Sequence, residues 1–144
     1  NCTNADLSGA DLSNMDLTGI DLSGANLDSA DLTGADLRYA ILPNADFDGA
    51  DLTGADLYYA DLSNAYFQYA DLAGANLENV DLSGAYLYRA DLSNAYLYQA
   101  DLKFADFTDA TVDGVDWSEA YWHETIWIDG VRYDEDPNTS GGGG

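Results

Sequence analysis

The chain is 144 residues long, with 27 acidic side chains against four basic ones and a formal charge of −23. That balance argues against direct nucleic-acid binding and against docking on an anionic membrane, because phosphates repel such a surface. No apolar run approaches the roughly 20 residues of a membrane span.

The chain begins at Asn1 without an initiator methionine, and Met15 is its one methionine. Removal of an N-terminal segment on export is the expectation this raises. Asn1-Cys2-Thr3 and Asn138-Thr139-Ser140 are glycosylation sequons. Cys2 is the single cysteine, so no internal disulfide forms. It lies five residues before Leu7 and is expected to plug the first coil, with an intermolecular disulfide as the alternative.

From Leu7 to Trp122 every fifth residue is leucine or another apolar residue. The substitutes are Phe47, Phe67, Phe107, Val112, Trp117 and Trp122. Two residues earlier stands a small apolar residue, alanine except at Met15, Ile20, Val80 and Val115. A strict internal period decides architecture before local propensity does. On an α-helix, five residues turn about 500°, so the leucines wind around the helix and form no stripe. On a flat strand an odd repeat sends successive leucines to opposite faces. The pattern works when the backbone turns a corner in every unit. Four sides then close a 20-residue coil, and coils stack at about 4.8 Å. The corner residues agree, as in Ser8-Gly9, Thr53-Gly54 and Ser63-Asn64, because Gly and Asn tolerate positive φ.

With this unit (Ala5-Asp6-Leu7-Ser8-Gly9, Ala50-Asp51-Leu52-Thr53-Gly54) the chain resembles the pentapeptide-repeat family over residues 5 to about 125. The resemblance implies an all-β fold, a right-handed quadrilateral parallel β-helix. The solenoid would have about six coils of 20 residues and a length of roughly 29 Å. The domain reading is a repeat β-helix over 1–125, a C-terminal cap and turn over 126–134, and a disordered tail over 135–144.

Aspartate precedes most of the register leucines. Residues 20 apart stack, so Asp11, Asp31, Asp51, Asp71 and Asp91 form one acidic ladder. Charges about 4.8 Å apart in water repel by about 0.9 kcal/mol, so these carboxylates should face solvent and accept hydrogen bonds from corner amides. Nonspecific cations would gather on the ladder, and salt or Ca²⁺ should raise thermal stability. No EF-hand spacing or His/Cys cluster marks a specific metal site.

Two columns carry the irregular outward residues. One shows Arg38, Tyr39, Tyr58, Tyr59, Tyr96, Tyr98 and Gln99. The other shows Tyr66, Gln68, Tyr69, Tyr86, Tyr88 and Arg89. Tyr39 is expected over Tyr59, and Tyr66 over Tyr86. Ring stacking between coils is the structural reading. A contact surface for protein or carbohydrate is the functional one. Pro43, beside Ile41, reads as a tolerated corner variation.

Toward the C-terminus the unit grows bulky, through Trp117, Trp122 and Trp127, followed by a tight turn at Asp129-Gly130. These tryptophans are expected to cap the last coil. His123 lies alone on an outward position.

No nucleophile is paired with a histidine, and the carboxylates sit on a convex surface without a pocket, so no enzyme and no cofactor are expected. The reading is an exported structural or interaction module. It would act through its acidic and tyrosine-rich faces on a protein partner, or on itself by head-to-tail stacking into a filament. The Trp127-Ile128-Asp129-Gly130 ending resembles those of secreted or thylakoid-lumen members of the family in cyanobacteria, which implies an extracellular, periplasmic or lumenal location. The alternative also comes from the family: a DNA mimic that protects DNA gyrase from quinolones. The charge fits that alternative, whereas the uninterrupted repeat lacks the loop and the C-terminal dimerisation helix of those mimics.

Overall fold

The computed structural model describes residues 2–134. The tail 135–144 and the sequon residues Asn1 and Asn138 lie outside them.

The backbone accounts for its own amides, five per unit. In Ala30 to Gly34, the Ala30 N–H donates to the Leu27 carbonyl across a corner at 3.0 Å. Asp31 N–H reaches back 21 residues to Ala10 O at 2.9 Å, and Leu32 N–H reaches forward to Asp51 O at 2.7 Å. Gly34 N–H also reaches forward, to Thr53 O at 3.0 Å. The remaining amide, Thr33 N–H, points outward, where Asp31 Oδ1 accepts it at 2.9 Å. No amide of the unit is left over, as a buried backbone requires.

This bonding makes parallel bridges between residues 20 apart, from Asp6 with Asn26 to Asp106 with Ile126. One bridge falls at every fifth residue, so each 20-residue turn has four bridged sides and four corners. The corners are type II in character. Ala35 N–H bonds to Leu32 O at 2.9 Å, while Gly34 between them has φ +63°.

Inward, the alanines and leucines form one continuous core, buried from Leu22 to Phe107. Phe47 and Phe67 stack face to face with centroids 4.8 Å apart, which is the strand spacing expressed by side chains. Leu7, Leu12 and Leu17 are only half-buried because they have packing neighbours on one side. For the same reason Cys2 is exposed, and the expectation that it plugs the interior is corrected.

The unit at Ile41 shows how exceptions compensate. Ile41 replaces the aspartate that normally accepts the corner N–H, and Pro43, two residues on, has no N–H to offer. Acceptor and donor are lost together. The Pro43 carbonyl still takes its place in the ladder, accepting from Gly24 N–H at 2.9 Å.

At the C-terminal end the chain folds over as a hairpin. Strand β1 (Thr125–Ile126) pairs antiparallel with β2 (Arg132–Tyr133). Trp117 and Trp127 are buried, and Trp122 is half-buried beside them. The three rings touch one another, with centroids 5.3 to 5.5 Å apart. Thr125 fills an inward alanine position, and its hydroxyl donates to Leu102 O at 2.8 Å.

Candidate interaction surface

The acidic ladder is first a structural device. Each aspartate that precedes a register residue accepts the N–H two residues on, as at Asp11, Asp31, Asp51, Asp71 and Asp91. Asn26 and Asn76 do the same with Asp28 and Glu78. Serine at the corner adds its hydroxyl to the same oxygen, as Ser63 does on Asp61 at 2.7 Å. These bonds hold several carboxyls below the usual carboxylate range. For Asp6 and Asp21 the first cause is the bond from the corner hydroxyl, and the second is the bond from the corner amide. Asp36 is lowered to about 2, chiefly because the Arg38 guanidinium bonds to it. Asp48 goes the other way, because burial raises it. Asp11, Asp31 and Asp51 are exposed, whereas Asp71 and Asp91 are half-buried. Among the described residues no group of His, Cys, Asp or Glu has the arrangement to hold a metal ion.

The corners are unequal. The third residue of each corner turn has positive φ throughout, which favours Gly or Asn. One line of corners keeps to that rule: Asn14, Gly34, Gly54, Gly74, Asn94 and Gly114. The line one side further on carries Tyr39 (φ 60°), Tyr59 (φ 56°), Gln99 (φ 55°) and Glu119 (φ 58°). The opposite side carries Tyr69 (φ 62°) and Arg89 (φ 58°). A side chain in left-handed backbone costs about 1–2 kcal/mol per residue. The fourth line keeps to Gly and Asn until Phe104 (φ 61°) and Glu124 (φ 50°), so strained side chains are most frequent in the columns that carry the tyrosines.

The two columns lie on opposite sides of the four-sided coil and form two separate surfaces. On the first, Tyr39 and Tyr59 stack at 5.9 Å and 19°. Tyr58 stands edge-on to both, at 5.9 and 4.6 Å. Arg38 pairs with Asp36 at 2.5 Å and approaches Asp56 at 3.8 Å. Further along, Tyr98 Oη and Gln99 Nε2 both donate to Glu119, at 3.1 and 2.7 Å. Burial and the neighbouring Tyr59, Tyr39 and Glu78 push the Tyr58 hydroxyl up. Tyr96 lies on the same side, at a bridge position, exposed.

On the opposite surface Tyr66 and Tyr86 stack at 5.2 Å and 7°, and Tyr69 meets Tyr88 edge-on at 5.8 Å. Arg89 lies over the Tyr88 ring at 5.1 Å and pairs with Asp109 at 3.4 Å. Both expected stacks, Tyr39 on Tyr59 and Tyr66 on Tyr86, are present. Glu78 and Glu119 were not singled out from the sequence, although both fall where the corner unit departs from Ser/Thr-Gly/Asn.

A further opening, about 670 Å³, lies at the C-terminal end between Trp117, Trp122 and Asp134. His123 faces outward beside it, against Asp134 at 3.3 Å.

A family model described as pentapeptide repeats matches residues 1–38, 30–68 and 65–103. Among solved structures, the chain is similar to a pentapeptide repeat protein from the cyanobacterium Cyanothece 51142. Identity is 25%, coverage is 80% of this chain and 85% of that one, and the TM-score is 0.61. It is also similar to HetL, a pentapeptide repeat protein involved in heterocyst differentiation regulation in Nostoc sp. strain PCC 7120. There the identity is 28%, the coverage 91% and 88%, and the TM-score 0.41. A pentapeptide repeat protein from the thylakoid lumen of Arabidopsis thaliana is 31% identical, with 78% and 71% covered and a TM-score of 0.33. No curated protein matches the chain in sequence.

Proposed function

Since this chain belongs to the pentapeptide-repeat family, we propose that it is a non-catalytic interaction module. Its tyrosine-bearing corners would bind a protein partner, and Tyr39, Tyr58, Tyr59 and Tyr98 would form the principal face. The scaffold is read as the family's right-handed quadrilateral β-helix of about six coils.

The observation that carries this reading is the placement of strain. Tyr39 and Tyr59 occupy backbone that glycine fills without strain at Gly34, Gly54 and Gly74. A chain selected only for a stable coil would use Gly or Asn at every corner. Strained residues retained against that preference point to a use outside the fold. Tyrosine is also a residue enriched at protein interfaces.

The test is affinity capture from source cells with the parent chain and with a Tyr58→Ser/Tyr59→Ser/Tyr98→Ser variant. A partner lost with the variant, while its circular dichroism is unchanged, supports the proposal. A variant that fails to fold yet keeps every partner rejects it. Export is part of the same proposal, and recovery of the protein with cytoplasmic markers alone rejects that part.

End-to-end stacking into a filament is a second reading, motivated by the N–H groups of Trp117, Glu119 and Trp122, which face along the stack at the last coil with no acceptor among the described residues. The hairpin over one side of that coil and the like charge of two copies weigh against it. Electron microscopy of the concentrated protein separates solitary particles from rods joined at their ends.

A further inference from the structure

The last coil ends in an asymmetric way. One turn earlier, Leu97, Gln99 and Leu102 donate their N–H groups forward, to Asp116 O, Ser118 O and Tyr121 O, at 2.8, 3.0 and 2.9 Å. The equivalent donors of the last coil are Trp117, Glu119 and Trp122. Among the described residues their N–H groups have no acceptor. The carbonyls of Val115 and Ala120 are likewise free of the donors that Ala95 and Ala100 receive from Asp116 and Tyr121.

The hairpin closes the neighbouring side. Trp127 N–H bonds to Val131 O at 2.8 Å, and Glu124 N–H bonds to Asp134 Oδ1 at 2.9 Å. It stops short of the sides that carry Val112, Trp117 and Trp122. There the 670 Å³ opening has an apolar floor of tryptophan and an acidic rim of Asp116, Glu119 and Asp134. Lys103, at its lower margin, is paired with Asp101 at 2.8 Å.

We propose that this open edge is a docking site for an extended basic segment of another protein, which adds to the coil as a parallel strand. The bonding pattern follows from the turn below. The first docked residue donates to Val115 O and accepts from Trp117 N–H. The second points inward onto the tryptophan floor, and the third accepts from Glu119 N–H. After a corner, the sixth residue donates to Ala120 O and accepts from Trp122 N–H. Main-chain bonds of this kind give affinity, and the alternating inward positions give specificity.

Two observations select the occupant. The first and sixth residues project outward over Asp116 and Tyr121, beside Glu119 and Asp134, so lysine or arginine is favoured there. A second copy of this chain is disfavoured, because its first full coil would meet the hairpin on one side and brings a further −23 of charge. The site meets the first tyrosine surface at Glu119, which also accepts from Tyr98 and Gln99, but its test reads the main-chain amides of the edge, which do not depend on those side chains.

The experiment titrates the intact chain with an acetylated, amidated heptapeptide, Lys-Leu-Ser-Gly-Ala-Lys-Leu. Tryptophan fluorescence gives affinity, and amide hydrogen exchange gives the contact. Two control peptides carry Glu at both Lys positions, or N-methyl groups on both Lys amides. The basic peptide should bind at least tenfold tighter than either control, weaken with salt, and slow exchange at Trp117, Glu119 and Trp122 at least fivefold. The Asp116→Asn/Glu119→Gln variant, which keeps the corner acceptor at residue 116, should bind at least fivefold more weakly. Equal binding of the basic and acidic peptides, or no change at those amides, overturns the proposal. So does slow exchange at the three amides before peptide is added, since the edge would then be covered by this chain or by a second copy.

Discussion

The Asp71 carboxylate accepts the backbone N–H of Ala73 at 2.9 Å. Alanine has no hydroxyl, so this bond shows the corner role of the carboxylate by itself. Without it, the outward amide of the corner would lose its acceptor within the protein.

That role needs an oxygen and no charge, as Asn26 and Asn76 already demonstrate. Asp71→Asn should therefore leave stability within about 0.5 kcal/mol of the parent, whereas Asp71→Ala should cost about 1–2 kcal/mol through the unpaired amide. Urea unfolding of the two variants checks this. Equal losses would show that charge, and not the acceptor, is what the corner uses.

Acid should destabilise the fold despite its high negative charge. Asp36 is held at about 2 by Arg38, and Asp6, Asp16, Asp21, Asp31 and Asp116 are also lowered by their corner bonds. A carboxyl with a lowered folded-state pKa contributes stability that is present above its unfolded value, near 3.8. That stability is lost as pH falls toward the folded value. The melting temperature should thus drop between about pH 4 and pH 2. A rise across that interval would mean that relief of ladder repulsion outweighs the corner bonds.

Corner strain can be measured where nothing else changes. A Cβ built at Gly54 meets nothing within 4 Å, yet φ there is +64°. Gly54→Ala should cost about 1–2 kcal/mol from backbone conformation alone. No loss on denaturant unfolding would remove the argument that Tyr39 and Tyr59 are retained at a cost.

The tryptophan cap should hold the C-terminal end. Trp127 is 5% exposed and touches Phe107, Trp117 and Trp122. Trp127→Ala should cost about 3–5 kcal/mol in that end of the stack and abolish the near-ultraviolet circular dichroism of the ring cluster. An unchanged spectrum would show that the rings do not act as one cap.

The architecture was legible in the sequence because one register repeats without interruption, so a single geometric solution applies to every leucine from Leu7 onward. The stacks Tyr39–Tyr59 and Tyr66–Tyr86 were legible for the same reason, since residues 20 apart must meet. Cys2 was misplaced because the register says which way a side chain points and not whether anything packs beyond it. The acceptor role of the aspartates was only half visible. A carboxylate two residues before a serine or threonine suggests a local bond, but Asp71 with Ala73 shows that the backbone amide is the essential donor. The open edge at Trp117 and Trp122 was hidden, because it depends on where the hairpin folds, and no periodicity governs that.

The central claim is that the tyrosine corners serve binding and do not hold the coil together. Equilibrium unfolding of the Tyr39→Gly/Tyr59→Gly variant tests it most directly. Two left-handed residues release about 2–4 kcal/mol of strain, while the three lost ring contacts, Tyr39 with Tyr59 and each of them with Tyr58, take back about 1.5–4.5 kcal/mol. The variant should therefore stay within about 2.5 kcal/mol of the parent. A larger loss, beyond what those contacts can return, would show that the rings hold the coil together and would contradict the account.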